Sequence, residues 1–80
     1  MTTTIALAKK AIATEQYLVI ETEDGMFQVE WSACSPHLAI ATPEQRSCLR
    51  LSPSGYGIHW PLIDEDLAIA PLLAQAIKES

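Results

Sequence analysis

The residues predict a small mixed domain of the α+β class, in which strands and short helices share one core. Three stretches carry that prediction: a hairpin over residues 17–31, two proline-started helical turns over 35–49, and a short strand over 56–60 that leads to a one-faced C-terminal segment. A chain of 80 residues holds one domain at most. Empirical scaling gives ~4,800 Å² of folded surface against ~12,800 Å² unfolded, so roughly 60% is buried on folding. That supports one thin core and leaves little chain for a deep pocket. Domains of this size gain stability from a partner or from self-association, which favours a binding role, homo-oligomers included, over an enzyme.

The hairpin is the clearest signal. Tyr17-Leu18-Val19-Ile20-Glu21-Thr22 and Met26-Phe27-Gln28-Val29-Glu30-Trp31 flank Asp24-Gly25, residues suited to a two-residue turn with φ > 0 at both positions. Such a turn sets Ile20 opposite Val29, Thr22 opposite Phe27 and Leu18 opposite Trp31. These six share one side of the ribbon, while Glu21, Gln28 and Glu30 point to the other, with Val19 opposite Glu30. A slip by one residue would destroy the separation. Residues 1–13 read two ways. Ile5, Ala8 and Ile12 stand at helical spacing behind Thr4 as an N-cap, yet the same stretch alternates as an edge strand guarded by Lys9 and Lys10.

After the hairpin, Ser35 and Pro36 fit N-cap and N1 of a short helical turn through Leu38 and Ile40. Thr42-Pro43-Glu44-Gln45 repeats the signal with a capping box, Thr42 as N-cap and Gln45 at N3, and predicts a helix from Pro43 to Cys48 or Leu49. Ser52-Pro53-Ser54-Gly55 is a loop by composition. Tyr56 to Trp60 alternates as a strand, with Tyr56, Ile58 and Trp60 on one face, Gly57 and His59 on the other, and Pro61 ending it. Ile69, Leu72, Leu73, Ala76 and Ile77 then follow helical spacing, with Pro71 in the first turn and Lys78 near the end.

Ten acids against five bases give a net charge of −5. Lys9, Lys10, Arg46, Arg50 and Lys78 are scattered, so no basic face for phosphates is visible and direct nucleic-acid binding is not expected. The charge suits a basic protein partner better, although acids also serve plain solubility. Cys34 and Cys48 are too few for a disulfide framework and form no Cys-x-x-Cys pair. No leader opens the chain and no apolar run reaches the ~20 residues that span a bilayer. The expectation is a cytoplasmic protein with reduced thiols and no membrane contact.

His59 lies close in sequence to Asp64, Glu65 and Asp66, which raises a metal site. No pair has helical i, i+4 spacing and no cysteine joins them, so the acids are better read as holding a turn, and neither metal nor cofactor is expected. His37 follows Cys34 by three residues, but no oxyanion-hole signature accompanies them, and buried structural thiols are the default. Among the aromatics Trp31, Trp60, Tyr56 and Phe27, most belong to the core; a partly exposed Trp60 beside the acids would anchor a partner.

From about Ala8 to Leu73 the order of pieces resembles the small bacterial family known as domain of unknown function 2442. The carrying residues are Leu18-Val19-Ile20 with Asp24-Gly25, Trp31, Ser35-Pro36-His37-Leu38 and Ala41-Thr42-Pro43-Glu44-Gln45-Arg46. Most specific is Gly57-Ile58-His59-Trp60-Pro61-Leu62-Ile63-Asp64-Glu65-Asp66-Leu67, closed by Leu72-Leu73. The chain departs from the usual aromatic-Pro-Arg-Leu pattern at Ser35-Pro36-His37-Leu38, and Cys48-Leu49-Arg50 replaces an aromatic after the capping-box helix. The resemblance implies an α+β fold with a three-stranded antiparallel meander, a short strand at the His-Trp-Pro motif and two or three short helices. It makes residues 6–13 a strand. Some relatives carry a helix-turn-helix domain after this module; others stand beside a second small protein in arrangements like toxin–antitoxin pairs, and the resemblance leads to the expectation of the stand-alone form here. The resulting expectation is a non-enzymatic interaction module, antitoxin-like, that masks a companion protein through Trp60, His59, Asp64, Glu65, Asp66 and His37. The alternative is a regulatory domain that binds a small ligand or metal.

Overall fold

The computed structural model describes residues 7–78. Its strands are β1 (Lys10–Ala13), β2 (Tyr17–Thr22), β3 (Gly25–Glu30), β4 (Arg50–Leu51), β5 (Gly57–Trp60), β6 (Glu65–Ala68) and β7 (Ile77–Lys78). Its helices are α1 (Trp31–Cys34), α2 (Pro36–Ala39), α3 (Pro43–Ser47) and α4 (Ile69–Ala74). The class is α+β, built as one four-stranded antiparallel sheet ordered β1-β2-β3-β7 and a second, three-stranded sheet ordered β4-β5-β6. The expected meander is β1-β2-β3. The His-Trp-Pro strand is not a lone addition to it but the centre of the second sheet.

The hairpin forms with its faces as expected and its register shifted by two residues. Leu18 pairs Val29, Ile20 pairs Phe27, and Thr22 pairs Gly25, so the turn residues are Glu23 and Asp24. Asp24 keeps φ negative, and Gly25 alone takes a positive value, 122°. The Thr22 hydroxyl accepts the Asp24 N–H at 3.0 Å and donates to the Gly25 carbonyl at 3.2 Å. This arrangement confines the left-handed backbone to the one residue without a Cβ. Because the shift is even, the two faces survive it, but Trp31 leaves the ribbon and starts α1.

The first strand spans residues 10–13, as the family resemblance implies and against the helical spacing; Thr4 and Ile5 lie outside the described residues. Ala11 and Ala13 turn toward the core once β2 offers its edge. The strand starts later than expected because Ala8 donates its N–H to Gly55 instead, at 2.9 Å. Gly55 sits at φ 78°, and a Cβ there would stand 2.5 Å from the Ala8 carbonyl oxygen, so the contact requires glycine.

Both predicted caps are present. The Ser35 hydroxyl accepts the Leu38 N–H, and Thr42 with Gln45 forms the full capping box. At the C-terminus the expected long helix ends at Ala74, and Ile77 and Lys78 instead pair the open edge of β3. The apolar spacing of Ile69 and Leu72 belongs to the helix; that of Ile77 belongs to a strand.

The core lies between the sheets. Leu18, Ile20 and Val29 come from the first, Ile58 and Trp60 from the second, and Trp31, Leu38, Ile69 and Leu72 from the helices. Trp31 and Trp60 meet edge to face with centroids 6.4 Å apart. Arg46 closes this centre: its guanidinium donates to the Leu38 and Ala39 carbonyls, each at 2.9 Å, and lies 5.3 Å from the Trp31 ring. Removal of these contacts takes one hydrogen bond from each of two carbonyls at the end of α2, of which that of Leu38 keeps the Ala41 N–H, and uncovers an indole. Arg46→Ala is therefore expected to cost about 2–3 kcal/mol in urea denaturation, and Arg46→Lys to recover only part, because an ammonium cannot bridge both carbonyls and stack.

Candidate functional site

The site grows from the β5–β6 hairpin. Its loop runs Pro61-Leu62-Ile63-Asp64, closed by the Ile63 N–H on the Trp60 carbonyl at 3.3 Å, and Asp64 takes the left-handed conformation at φ 51°. An aspartate tolerates that geometry better than most residues, which gives the first of the three acids a turn-forming role. Beyond the loop, Trp60 pairs Glu65 and His59 pairs Asp66. Strand alternation then sends the two neighbouring acids to opposite faces.

On the inner side Trp60 is 0% exposed, and its indole N–H donates to the Arg46 carbonyl at 3.1 Å. The expected exposed anchor is thus a core residue, because its strand position faces inward with Ile58. Its neighbour Glu65 is 17% exposed and receives hydrogen bonds from the Ser35 hydroxyl and from His37, whose Nδ1 lies 3.1 Å from Oε2. The Ser35 bond, then His37, holds the Glu65 carboxyl below its usual range. Glu65 therefore ties β6 to the N-terminus of α2, and His37, exposed on that helix, is committed to the tie.

On the outer side the His59 Nδ1 lies 2.7 Å from Asp66 Oδ1. The Ile69 N–H reaches the Tyr56 carbonyl at 2.7 Å, which makes Tyr56–Ile69 a hydrogen-bonded pair and, three steps on, leaves His59–Asp66 a non-hydrogen-bonded one. Side chains approach most closely in such pairs. On the other flank of β5, Arg50 stands opposite His59, so Arg50, His59 and Asp66 form one row across all three strands. The next outward row has almost no side chain, with Gly57 beside Ala68. The result is a shallow groove of about 610 Å³, floored by Gly57 and Ala68, flanked by Pro53 and Tyr56, and bounded by the Arg50–His59–Asp66 row. Tyr56, expected on the inner face with Ile58, lies before the strand and is 51% exposed.

Of the six residues singled out from sequence, His59 and Asp66 share this face, His37 and Glu65 form a second cluster, Asp64 makes the turn, and Trp60 is buried. Arg50 and Tyr56 were missed. Arg50 belongs to a two-residue strand that no periodicity reveals, and only its pairing with β5 places it beside His59.

The division of the acids between two faces prevents their convergence on one ion, and no group of three metal-binding side chains occurs among the described residues. Burial pushes the Cys34 thiol up to about 12, with the Arg46 charge offsetting part of the rise. A thiol so placed is a poor nucleophile. Alkylation of Cys34 by iodoacetamide at mildly alkaline pH is expected to run about tenfold or more slower in the native protein than in denaturant, measured by peptide mass spectrometry. For Glu65 the folded pKa is depressed, so its contribution is full above the unfolded value and disappears as pH falls through the folded one. Glu65→Gln is expected to lose about 1 kcal/mol at neutral pH after allowance for solvent screening, and thermal melts of variant and parent should converge as pH falls through the depressed Glu65 pKa.

The model of a family described as "Protein of unknown function (DUF2442)" matches residues 8–78. No curated protein matches the chain. The crystal structure of a protein of unknown function from Rhodospirillum rubrum is similar, with a TM-score of 0.77 at 26% identity, over 94% of this chain and 92% of that one. Among the described residues no helix is long and apolar enough to cross a membrane.

Proposed function

This chain belongs to the DUF2442 family, and from that premise and the geometry of its second sheet we propose a non-enzymatic protein-interaction module. It resembles the antitoxin-like member of a small bacterial two-gene system and acts in the cytoplasm by binding and masking a companion protein. The observation that carries this reading is the bare outer face of β4-β5-β6. A half-exposed tyrosine, an arginine with no side-chain hydrogen bond or ion pair among the described residues, and an imidazole fixed by a carboxylate line one groove there. Tyrosine and arginine are the side chains that most often dominate protein interfaces, and rigid placement on a sheet lowers the entropy lost on docking. The companion covers Tyr56 and pairs with the Arg50–His59–Asp66 row, and the surrounding net charge of −5 favours a basic surface.

A second reading, a regulatory domain that takes a small ligand, rests on the same groove with its apolar floor. The two separate in one experiment. The tagged chain is used to capture partners from host lysate beside a Tyr56→Ala/Asp66→Lys variant, first checked for unchanged circular dichroism and melting temperature. The interaction reading expects one stoichiometric partner, with the variant weakening its binding by about tenfold or more. Capture undiminished in the variant sinks the assigned face. A bait without a partner, together with a metabolite that raises the melting temperature, transfers the groove to the ligand reading.

A further inference from the structure

The loop of Ser52, Pro53 and Ser54 that edges the groove of the second sheet also edges a second cavity, of about 540 Å³, which reaches across to the β2–β3 turn of the first sheet. That volume lies in the range of small-molecule sites. The floor is apolar. Phe27 stands on the inner face of the first sheet as the pairing partner of Ile20, and Leu51 and Leu73 are half-buried against the core. Hydrogen bonds hold the walls. The Ala8 N–H donates to the Gly55 carbonyl and the Gly55 N–H to the Ser52 carbonyl, each at 2.9 Å, while the Thr22 hydroxyl fastens the turn through the Asp24 N–H. A cavity built this way is preformed, so little ordering is lost on filling it.

Three charged side chains line the same space, Lys9 on one wall and Glu23 and Asp24 at the turn. All three are exposed, and the two ion pairs among the described residues, His37–Glu65 and His59–Asp66, involve none of them. Lys10, by contrast, stands opposite Glu21 in the β1–β2 ladder and does not line the cavity.

We propose that this cavity binds a free amino acid with an apolar side chain. Its carboxylate pairs with Lys9, its ammonium with Glu23 or Asp24, and its side chain covers Phe27, Leu51 and Leu73. Charges of both signs beside one apolar floor select a zwitterion. An apolar acid would set its carboxylate near two others, and an apolar amine would set its ammonium near that of Lys9; each would leave one sign unmatched. The three charges are exposed and therefore screened, so each contributes little and the dissociation constant is about 0.1–1 mM. The site is separate from the Arg50–His59–Asp66 row and does not depend on the docking of a companion there.

Titration of the isotope-labelled whole chain with L-phenylalanine to about 20 mM at low salt, followed by amide chemical shifts, tests this. Saturable shifts are expected at Lys9 and over residues 22–24 and 51–55. Phenethylamine, which lacks the carboxylate, and hydrocinnamate, which lacks the ammonium, should each bind about threefold or more weaker. Glycine, without an apolar body, should not saturate. Lys9→Gln should weaken L-phenylalanine about threefold without weakening phenethylamine, and Glu23→Gln with Asp24→Asn should weaken it without weakening hydrocinnamate. These exposed positions leave the core intact, and the spectra themselves report the fold. Tyr56→Ala should change none of the affinities. The absence of saturable shifts overturns the proposal, as do shifts that gather at Tyr56 and His59 instead. Binding of hydrocinnamate or phenethylamine as tight as that of L-phenylalanine, or affinities indifferent to both charge variants, overturns the amino-acid assignment.

Discussion

Two indole N–H groups have to be paired where the largest apolar side chains of the protein are buried, and much of the architecture follows from how that is done. Trp31 donates to the Thr14 carbonyl at the end of β1, and Trp60 to the Arg46 carbonyl in α3. The two rings pack edge to face, so these bonds also fix the first sheet, the second sheet and α3 to one another. Arg46 takes part twice, through its carbonyl to Trp60 and through its guanidinium to the end of α2 and the face of Trp31. None of the first three helices exceeds five residues, too short to persist by propagation alone. α2 and α3 hold because Ser35, Thr42, Gln45 and Arg46 satisfy the backbone groups that a single turn leaves open.

Local chemistry made those caps legible before any tertiary information, since Ser-Pro and Thr-Pro-x-Gln determine their own geometry within four residues. The hairpin was legible in its faces but not in its register. The expected turn centres on Asp24 and Gly25 with φ > 0 at both, whereas the observed one centres on Glu23 and Asp24 and leaves Gly25, just after it, as the only one of the three with a positive φ. The parts that escaped are those made by pairing. β4 and β7 have two residues each, and β6 reads Glu-Asp-Leu-Ala, poor strand material by composition. They are strands because β5 and β3 present open edges beside them. The same cause shortens the C-terminal helix, whose apolar spacing ran on into Ile77 although the residue serves a different periodicity.

The candidate site was legible as a set of residues and not as a surface. Asp64, Glu65 and Asp66 look like one acidic cluster in sequence. The structure separates them into a left-handed turn residue, an inward ligand for Ser35 and His37, and an outward partner for His59. Side-chain alternation in β6 accomplishes this, and it depends on where the hairpin loop ends, which Asp64 decides. The burial of Trp60 has the same origin: once His59 faces outward its neighbour must face the core. Tyr56 and Arg50 then take the exposed positions that composition assigned to the tryptophan.

The outer faces of the two sheets obey different chemistry, and this has a consequence for docking. The inner faces of both sheets meet in one core, so their outer faces point away from it and from each other. The Arg50–His59–Asp66 groove on the second sheet and the Ile12–Val19–Gln28–Ile77 row on the first therefore lie on opposite sides of the core, and a companion docked in the proposed groove would leave that row uncovered. Attraction between the exposed polar row and a basic companion would weaken as salt screens it, whereas the apolar packing behind both sheets is far less sensitive to salt, so ionic strength would act on the docking step and leave the fold in place.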